Sequence, residues 1–384
     1  MELISDSGAL EAFCQRIAGS RFITVDTEFI RDRTYWPVLC VIQAAGDDEA
    51  GAIDALADGI DLKPFFDLLV YPHLPKVFHA ARQDIEIFWH LTGKIPTPLF
   101  DTQIAAMVCG FGDSVSYETL ASRLAKARID KSMRFTDWSR RPLSGKQLSY
   151  ALSDVTHLRI VYEKLAKRIE EEGRSTWVAE EVAVLTSPST YETDPREAWR
   201  RLKPRTAKPR FLAVLRELAA WREEEARRRN LPRNRIVRDE TLKEIAAHEP
   251  KTSDDLTHLR SLPRGQAQSE MGRQIITAVA RGIAVPDSDC PIAEENGHTN
   301  GTNGASIELL RVLLTMKCER HHVAQKLVAS AADIEALADS DNADVPALHG
   351  WRREVFGEDA LALKHGKVAL TAEGNKVRMV KLGQ

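Results

Sequence analysis

The stretch FITVDTEF (Phe22–Phe29) joins a short apolar run to two carboxylates, Asp26 and Glu28. The run is rich in β-branched residues and has the length of a strand. Because side chains alternate along a strand, Asp26 and Glu28 are expected on the same face. Two aligned carboxylates repel each other unless a cation lies between them. The stretch therefore predicts a strand that ends at a metal site, although D-x-E alone is also common at surface strand ends.

Strand and helix signals alternate around this stretch as far as residue 187. Strands are predicted at Phe22–Val25, Val38–Ala44, Ala52–Ile53 and Lys76–His79, and helices at Thr102–Val108, Tyr117–Lys126 and Lys146–Glu171. Early strands joined by short turns favour an antiparallel meander, and the later alternation favours parallel additions. Residues 1–187 are thus predicted to form an α/β domain with a mixed sheet flanked by helices.

Two later segments bring further polar groups to this domain. ARQDIEIFW (Ala81–Trp89) places Asp84 in the first turn of a helix, where capping alone also explains an aspartate. SYALSDVTHL (Ser149–Leu158) places Tyr150 and Asp154 on one helix face. A lone tyrosine of this kind is more often half-buried with one local hydrogen bond.

In combination, the segments predict four metal-binding carboxylates at one edge of the sheet: Asp26, Glu28, Asp84 and Asp154. Carboxylates without His or Cys suit hard divalent cations such as Mg²⁺. Two such ions about 3.5–4 Å apart could activate a water and stabilise the leaving oxygen of an in-line phosphoryl displacement. Tyr150 would position or deprotonate that water, with its pKa lowered by the metals. The pattern is that of a nuclease with these five catalytic residues.

The rest of the chain predicts small helical domains. A turn-rich linker is expected over 188–205, an all-α domain over 206–285, a flexible polar linker over 286–305, and a second helical domain over 306–384 that ends in a hairpin. From Arg196 to Arg238 there are 15 Lys and Arg against 5 Asp and Glu. That stretch is either a stripe that attracts a phosphate backbone or a solvated helix with internal salt links.

Composition excludes several classes of protein. The formal net charge of −3 is too small for a general polyanion binder. Five scattered cysteines without a C-x-x-C pair argue against a zinc site or a disulfide framework and favour a reducing cytoplasm. The N-terminus does not read as a signal peptide, and no apolar run reaches the roughly 18 residues of a membrane span. We expect a cytoplasmic protein with no membrane partner.

Several segments resemble the ribonuclease D family, within the Tyr-containing subgroup of the DEDD exonuclease superfamily. The similar segments of the first domain are VDTEFIRDRTYWPVLCVIQ (Val25–Gln43), VFHAARQDIEIF (Val77–Phe88), LFDTQIAA (Leu99–Ala106) and DWSRRPLSGKQLSYALSDVTHL (Asp137–Leu158). NLPRNRIVRDETLKEIA (Asn230–Ala246) is similar to the HRDC module, and PALHGWRREVFGEDALALKHG (Pro346–Gly366) to a second HRDC-like module.

The resemblance implies a ribonuclease H-like sheet followed by two small all-α HRDC-type domains. It implies two divalent ions per site, Mg²⁺ or Mn²⁺, held by the same four carboxylates, with Tyr150 orienting the water. It also implies a 3′–5′ exoribonuclease that releases 5′-mononucleotides from RNA with an accessible 3′ end, with tRNA precursors as the typical substrate. We expect a monomer.

Two alternatives stay open on sequence. One is a DNA 3′–5′ exonuclease, and the other is a catalytically silent RNA-binding scaffold. All five residue types are intact, which favours an active enzyme. The sequence assigns no residue to nucleic-acid binding.

Overall fold

The computed structural model describes residues 2–204, 206, 208–292 and 304–382. These residues divide into two compact units. The first unit takes in the described residues of 1–28, 40–187 and 297–384, and the second those of 29–39 and 188–296. Within these ranges, no helix has the length and apolar character needed to cross a membrane.

A mixed six-stranded sheet organises the first unit. Its strands are β1 (Glu2–Ile4), β2 (Ile23–Ile30), β3 (Val38–Ala45), β4 (Ala50–Asp54), β5 (Lys76–Phe78) and β6 (Leu99–Asp101), in the spatial order β1-β4-β3-β2-β5-β6. β3 and β4 are antiparallel, β1 is parallel to β4, and β5 is parallel to β2 and β6. The predicted mixed sheet is confirmed. The edge strand β1 was not predicted, because three residues carry too little periodicity.

Seven helices flank this sheet among the described residues. They are α1 (Ser7–Ile17), α2 (Lys63–Leu69), α3 (Arg82–Thr92), α4 (Thr102–Val108), α5 (Tyr117–Leu120), α6 (Gly145–Glu171) and α7 (Ser175–Leu185). α6 begins at a capping box in which Ser144 and Gln147 satisfy each other's backbone N–H groups. Its apolar side, including Leu152, Val155 and Leu158, is buried. This burial orients the rest of the helix, including its polar positions.

The part of the second unit that follows residue 187 is helical wherever the described residues form regular structure. Its helices are α8 (Pro209–Arg229), α9 (Arg233–Ile236), α10 (Asp239–His248), α11 (Ser253–Thr257), α12 (Arg264–Ala267) and α13 (Glu270–Ala284). Within the segment predicted as a linker, the 3₁₀ turn Pro195–Leu202 contributes Trp199 to the same buried cluster as Leu215. Residues 293–303 of the predicted second linker lie outside the described residues. The domain boundaries stay a prediction.

The arginines of the second unit are largely paired with acids. Glu217, Glu223 and Glu225 are buried and accept ion pairs from Arg196, Arg233 and Arg228, among others. Carboxylates buried in this way need such partners, since an unpaired charge is costly to desolvate. For this part of the basic stretch, internal salt links are therefore favoured over a phosphate-binding stripe.

The C-terminal block of the first unit has its own core, which includes Leu310, Leu337 and Phe356. It consists of α14 (Gly304–His321), α15 (Gln325–Val328), α16 (Ala331–Asp339), α17 (Gly350–Arg352), α18 (Glu358–Lys364), β7 (Val368–Glu373) and β8 (Lys376–Lys381). β7 and β8 are antiparallel, so the predicted hairpin is confirmed. Trp351 of this block stacks on Trp177 of α7, with ring centroids 4.3 Å apart.

Candidate active site

The strand β2 presents the first two carboxylates of the candidate site. Asp26 and Glu28 are both half-buried, whereas Thr27 between them is buried. This alternation is what a pleated strand produces. Asp26 and Glu28 each offer an oxygen to one compact group that also includes Asp154.

The helix α6 supplies Asp154 and Tyr150. Asp154 is buried, and one of its oxygens lies within 4.8 Å of an oxygen of both Asp26 and Glu28. Tyr150, one turn earlier, is half-buried, and the charge of Asp154 acts on its hydroxyl. The predicted shared helix face therefore places both side chains at the end of β2.

Asp84 lies beside this group, but its carboxylate oxygens are not among those that lie within 4.8 Å of one another. It occupies the first turn of α3 and is buried. Its carboxylate accepts a hydrogen bond from the hydroxyl of Thr27. Burial and the charge of Asp26 raise the pKa of Asp84, which places the two carboxylates in one electrostatic environment. The structure thus brings together all five side chains that the sequence singled out.

The electrostatics of the cluster favour a cation. Burial, followed by repulsion from neighbouring carboxylates, raises the pKa of Glu28 to about 10 and that of Asp154 to about 8. Burial also raises the pKa of Asp26, to about 7. The charged forms of these four carboxylates destabilise one another. Carboxylate oxygens are also the ligands that hard divalent ions prefer. The residues present therefore fit the divalent metal that the sequence predicted.

The pKa of the Tyr150 hydroxyl is shifted in the direction opposite to that expected of a general base. Burial and the charges of Asp154 and Glu28 raise the pKa of its hydroxyl. The sequence predicted a pKa lowered by metals, an effect that depends on the bound ions. The protein residues alone favour a tyrosine that keeps its proton.

One buried and one partly buried hydrogen bond hold α6 in register with its neighbours. The hydroxyl of Thr24, two positions before Asp26, donates to the carbonyl of Val155 at 2.8 Å. The hydroxyl of Tyr117 donates to the carbonyl of Ser153, also at 2.8 Å. Both carbonyls flank Asp154, so they fix this carboxylate relative to β2.

Sequence reasoning missed two residues that act on these carboxylates. Thr27 was expected to face away from Asp26 and Glu28, and no local signal pairs it with Asp84. The positive charge of Arg134 lowers the pKa of both Glu28 and Asp154, although burial dominates each shift. The cationic residues around Arg134 are visible in the sequence as a basic segment, but the sequence analysis did not relate this segment to the carboxylates.

Asp101 is the N-cap of α4. Its carboxylate accepts the backbone N–H groups of Gln103 and Ile104 at the start of α4. It also accepts those of Ala80 and Ala81, so it fixes the turn that leads into α3. Asp101 therefore supports Asp84 through the backbone.

Comparison with known proteins identifies the family to which the chain is similar. The sequence matches a 3′-5′ exonuclease family over residues 1–170 and the HRDC domain over residues 211–279. Ribonuclease D of Nitrobacter hamburgensis is 54% identical over 382 residues, which cover 99% of this chain and 100% of that protein. Ribonuclease D of Granulibacter bethesdensis is 50% identical over 382 residues, covering 99% and 97% of the two chains.

A solved structure agrees with the fold. The crystal structure of Escherichia coli RNase D, an exoribonuclease involved in structured RNA processing, superposes with a TM-score of 0.82 at 30% identity. The match covers 95% of this chain and 98% of that one. The exonuclease family and the cluster of acids both indicate dependence on a divalent metal. The chain belongs to the ribonuclease D family and is a hydrolytic 3′–5′ exoribonuclease that acts on RNA.

Proposed function

We propose that Asp26, Glu28, Asp84 and Asp154 hold two divalent ions, Mg²⁺ or Mn²⁺, and that this site releases 5′-mononucleotides from the 3′ end of RNA. The observation that carries the proposal is the gathering of Asp26, Glu28 and Asp154 oxygens within 4.8 Å of one another. When bound, such ions supply the Lewis acidity that activates water and stabilises the leaving oxygen.

The side chains of the protein have distinct tasks in this proposal. The four carboxylates bind and orient the ions. Tyr150 lies one helical turn before Asp154, and its hydroxyl orients the attacking water. Burial raises the pKa of Tyr150 in the protein alone, so removal of a proton from the water by Tyr150 would require the bound ions to lower that pKa.

We further propose that tRNA precursors are substrates and that the enzyme acts as a cytoplasmic monomer. The similarity to an exoribonuclease involved in structured RNA processing supports the substrate class. One copy of the chain carries all five side chains of the site, so no second copy is required to complete it. Its five free, buried cysteines suit a reducing compartment.

A time course on 5′-labelled RNA with an unpaired 3′ tail tests the activity. We expect a ladder that shortens from the 3′ end with Mg²⁺ or Mn²⁺, release of 5′-mononucleotides, and no cleavage with chelator. A tRNA precursor with a 3′ extension and a matched DNA form parallel arms. Equal digestion of the DNA would favour the DNA exonuclease alternative, and retained RNA binding without cleavage would favour the silent scaffold.

A further inference from the structure

The segment Lys126–Thr136, here called the basic loop, exposes an aromatic ring to solvent. Phe135 is 91% exposed, more than any other large hydrophobic side chain among the described residues. The loop contains four cationic residues, Lys126, Arg128, Lys131 and Arg134, against the single acid Asp130. An exposed ring among cations is the composition of a surface that binds single-stranded nucleic acid.

Contacts on the C-terminal side of Phe135 attach the basic loop to the catalytic helix. The side chain of Gln147 donates to the hydroxyl oxygen of Thr136 at 3.3 Å. Trp138 is buried, and its ring centroid lies 6.1 Å from that of Tyr150. Gln147 and Tyr150 are three residues apart on α6, so both attachments are on the helix face that leads to Asp154. Phe135 is therefore held close to the candidate site.

Arg134 connects the exposed ring with the carboxylates. Its guanidinium lies over the ring of Phe135, 5.3 Å from the centroid. Its charge also acts on Glu28 and Asp154, whose carboxyl pKa values it lowers. None of the described carboxylates forms an ion pair with Arg134, so its guanidinium is available to an anionic ligand. A phosphate that approaches the carboxylates would meet this cation.

We propose that Phe135 and Arg134 form a binding site for the unpaired 3′ end of RNA, in which the ring stacks on a nucleobase and the guanidinium contacts a phosphate. This inference rests on the proposed function, because it places the RNA end at the same carboxylates. Stacking uses the flat face that every base has, so the site accepts any base. Bases inside a duplex have both faces covered, so the site selects single-stranded ends.

Binding of a short unpaired RNA, measured by fluorescence anisotropy on the full chain in chelator, tests the site without any cleavage. We expect Phe135→Ala to weaken binding about 5- to 150-fold, the usual effect of one lost base–aromatic stack. Phe135→Trp should restore binding, whereas Phe135→Leu, which keeps apolar area without a flat ring, should not. Tyr71→Ala is the matched control, since Tyr71 is another exposed aromatic, and it should bind like the parent.

An RNA with a single abasic position, moved stepwise from the 3′ end, identifies the stacked base. At that position the abasic RNA should bind the parent and Phe135→Ala equally. The slope of log affinity against log salt concentration reports the number of ions released on binding. For Arg134→Gln this slope should correspond to about one ion fewer than for the parent, and Arg134→Lys should restore the slope of the parent.

Binding by Phe135→Ala within twofold of the parent would overturn the proposal, even if the parent digests RNA as expected. Conversely, a parent that binds through Phe135 but never cleaves would overturn the proposed function and leave this binding site standing. The two proposals therefore fail separately.

Discussion

The hydroxyl of Thr27 donates a hydrogen bond to the carboxylate of Asp84, although 57 positions separate the two residues in the chain. The bond joins β2 to the first turn of α3, and both side chains are buried. It occupies one oxygen of Asp84, Oδ1, and so restricts the orientation of the carboxylate. Hydrogen bonds of this kind orient metal-binding groups and tune their affinity.

Replacing Thr27 by Val keeps the side-chain shape and removes only this donor. We expect metal affinity or activity to fall about 10- to 100-fold, as is typical when a partner of a metal ligand is lost. Titration of hydrolysis with Mg²⁺ measures the effect. Thr27→Ser, which keeps the hydroxyl, is the control and should retain most of the activity. A Val variant with the metal dependence of the parent would show that Asp84 needs no such partner.

Asp26→Asn and Asp154→Asn should each abolish hydrolysis and leave the fold intact. Either change removes one negative charge from a cluster whose members repel one another, so neither variant should unfold more readily than the parent in chelator. Gel assays and thermal melts test the two statements. Asp58→Asn, at an exposed position, is the control for the loss of a carboxylate. Substantial metal-dependent turnover in either site variant would contradict the two-ion assignment.

Tyr150→Phe should lower the rate constant by about 10²–10⁴, the usual contribution of a positioned acid–base group. RNA affinity in chelator should change little, because the ring and its contact with Trp138 remain. Single-turnover kinetics separate the two quantities. Tyr162→Phe removes a hydroxyl from the same helix and should leave the rate unchanged. A Tyr150→Phe rate within threefold of the parent would exclude a role for this hydroxyl.

Lys76 predicts a pH dependence of stability that is unrelated to catalysis. This fully buried residue donates to the carbonyls of Tyr71 and Thr97, and burial lowers the pKa of its ammonium to about 8. In the unfolded chain the lysine pKa is about 10.4. Between these values the unfolded chain binds more protons, so the free energy of unfolding should rise as the pH increases from about 8 to about 10.4.

Lys76→Met removes this titration. Urea unfolding of both proteins between pH 7.5 and 10.5 should show a rise for the parent that the variant lacks. The difference between the two curves removes the contribution of other groups that titrate in this range. Parallel curves would mean that the folded state does not shift the pKa of Lys76.

Arg174 links α7 to the C-terminal block of the first unit. Its guanidinium donates to the carbonyl of Val108 at 2.6 Å and to those of His321 and His322 at 2.6 and 3.1 Å. Arg174→Ala should lower the free energy of unfolding by about 1 kcal/mol, because partly buried carbonyls lose their donor. It should also make residues 304–382 easier to cleave by protease. Lys167→Ala, an exposed change in the neighbouring helix, should do neither. Unchanged protection of the block would contradict its attachment through Arg174.

Local periodicity was enough to predict which site residues share a face of one element. Alternation along β2 predicted that Asp26 and Glu28 share a face, and the helical repeat predicted that Tyr150 and Asp154 share one. Both predictions depend only on residues within one element, so no knowledge of distant contacts was needed. The hairpin at the C-terminus was predicted for the same reason.

Other features depend on contacts between distant segments, and only the tertiary structure decided them. The sequence by itself determined the set of acids, the elements that carry them and the mixed sheet. It did not determine that Thr27 donates to Asp84, that Lys76 is buried, or that Arg134 acts on Glu28 and Asp154. A buried polar group must find a partner, but its own sequence neighbourhood does not say which one. That choice is made by how the packed strands and helices bring distant side chains together.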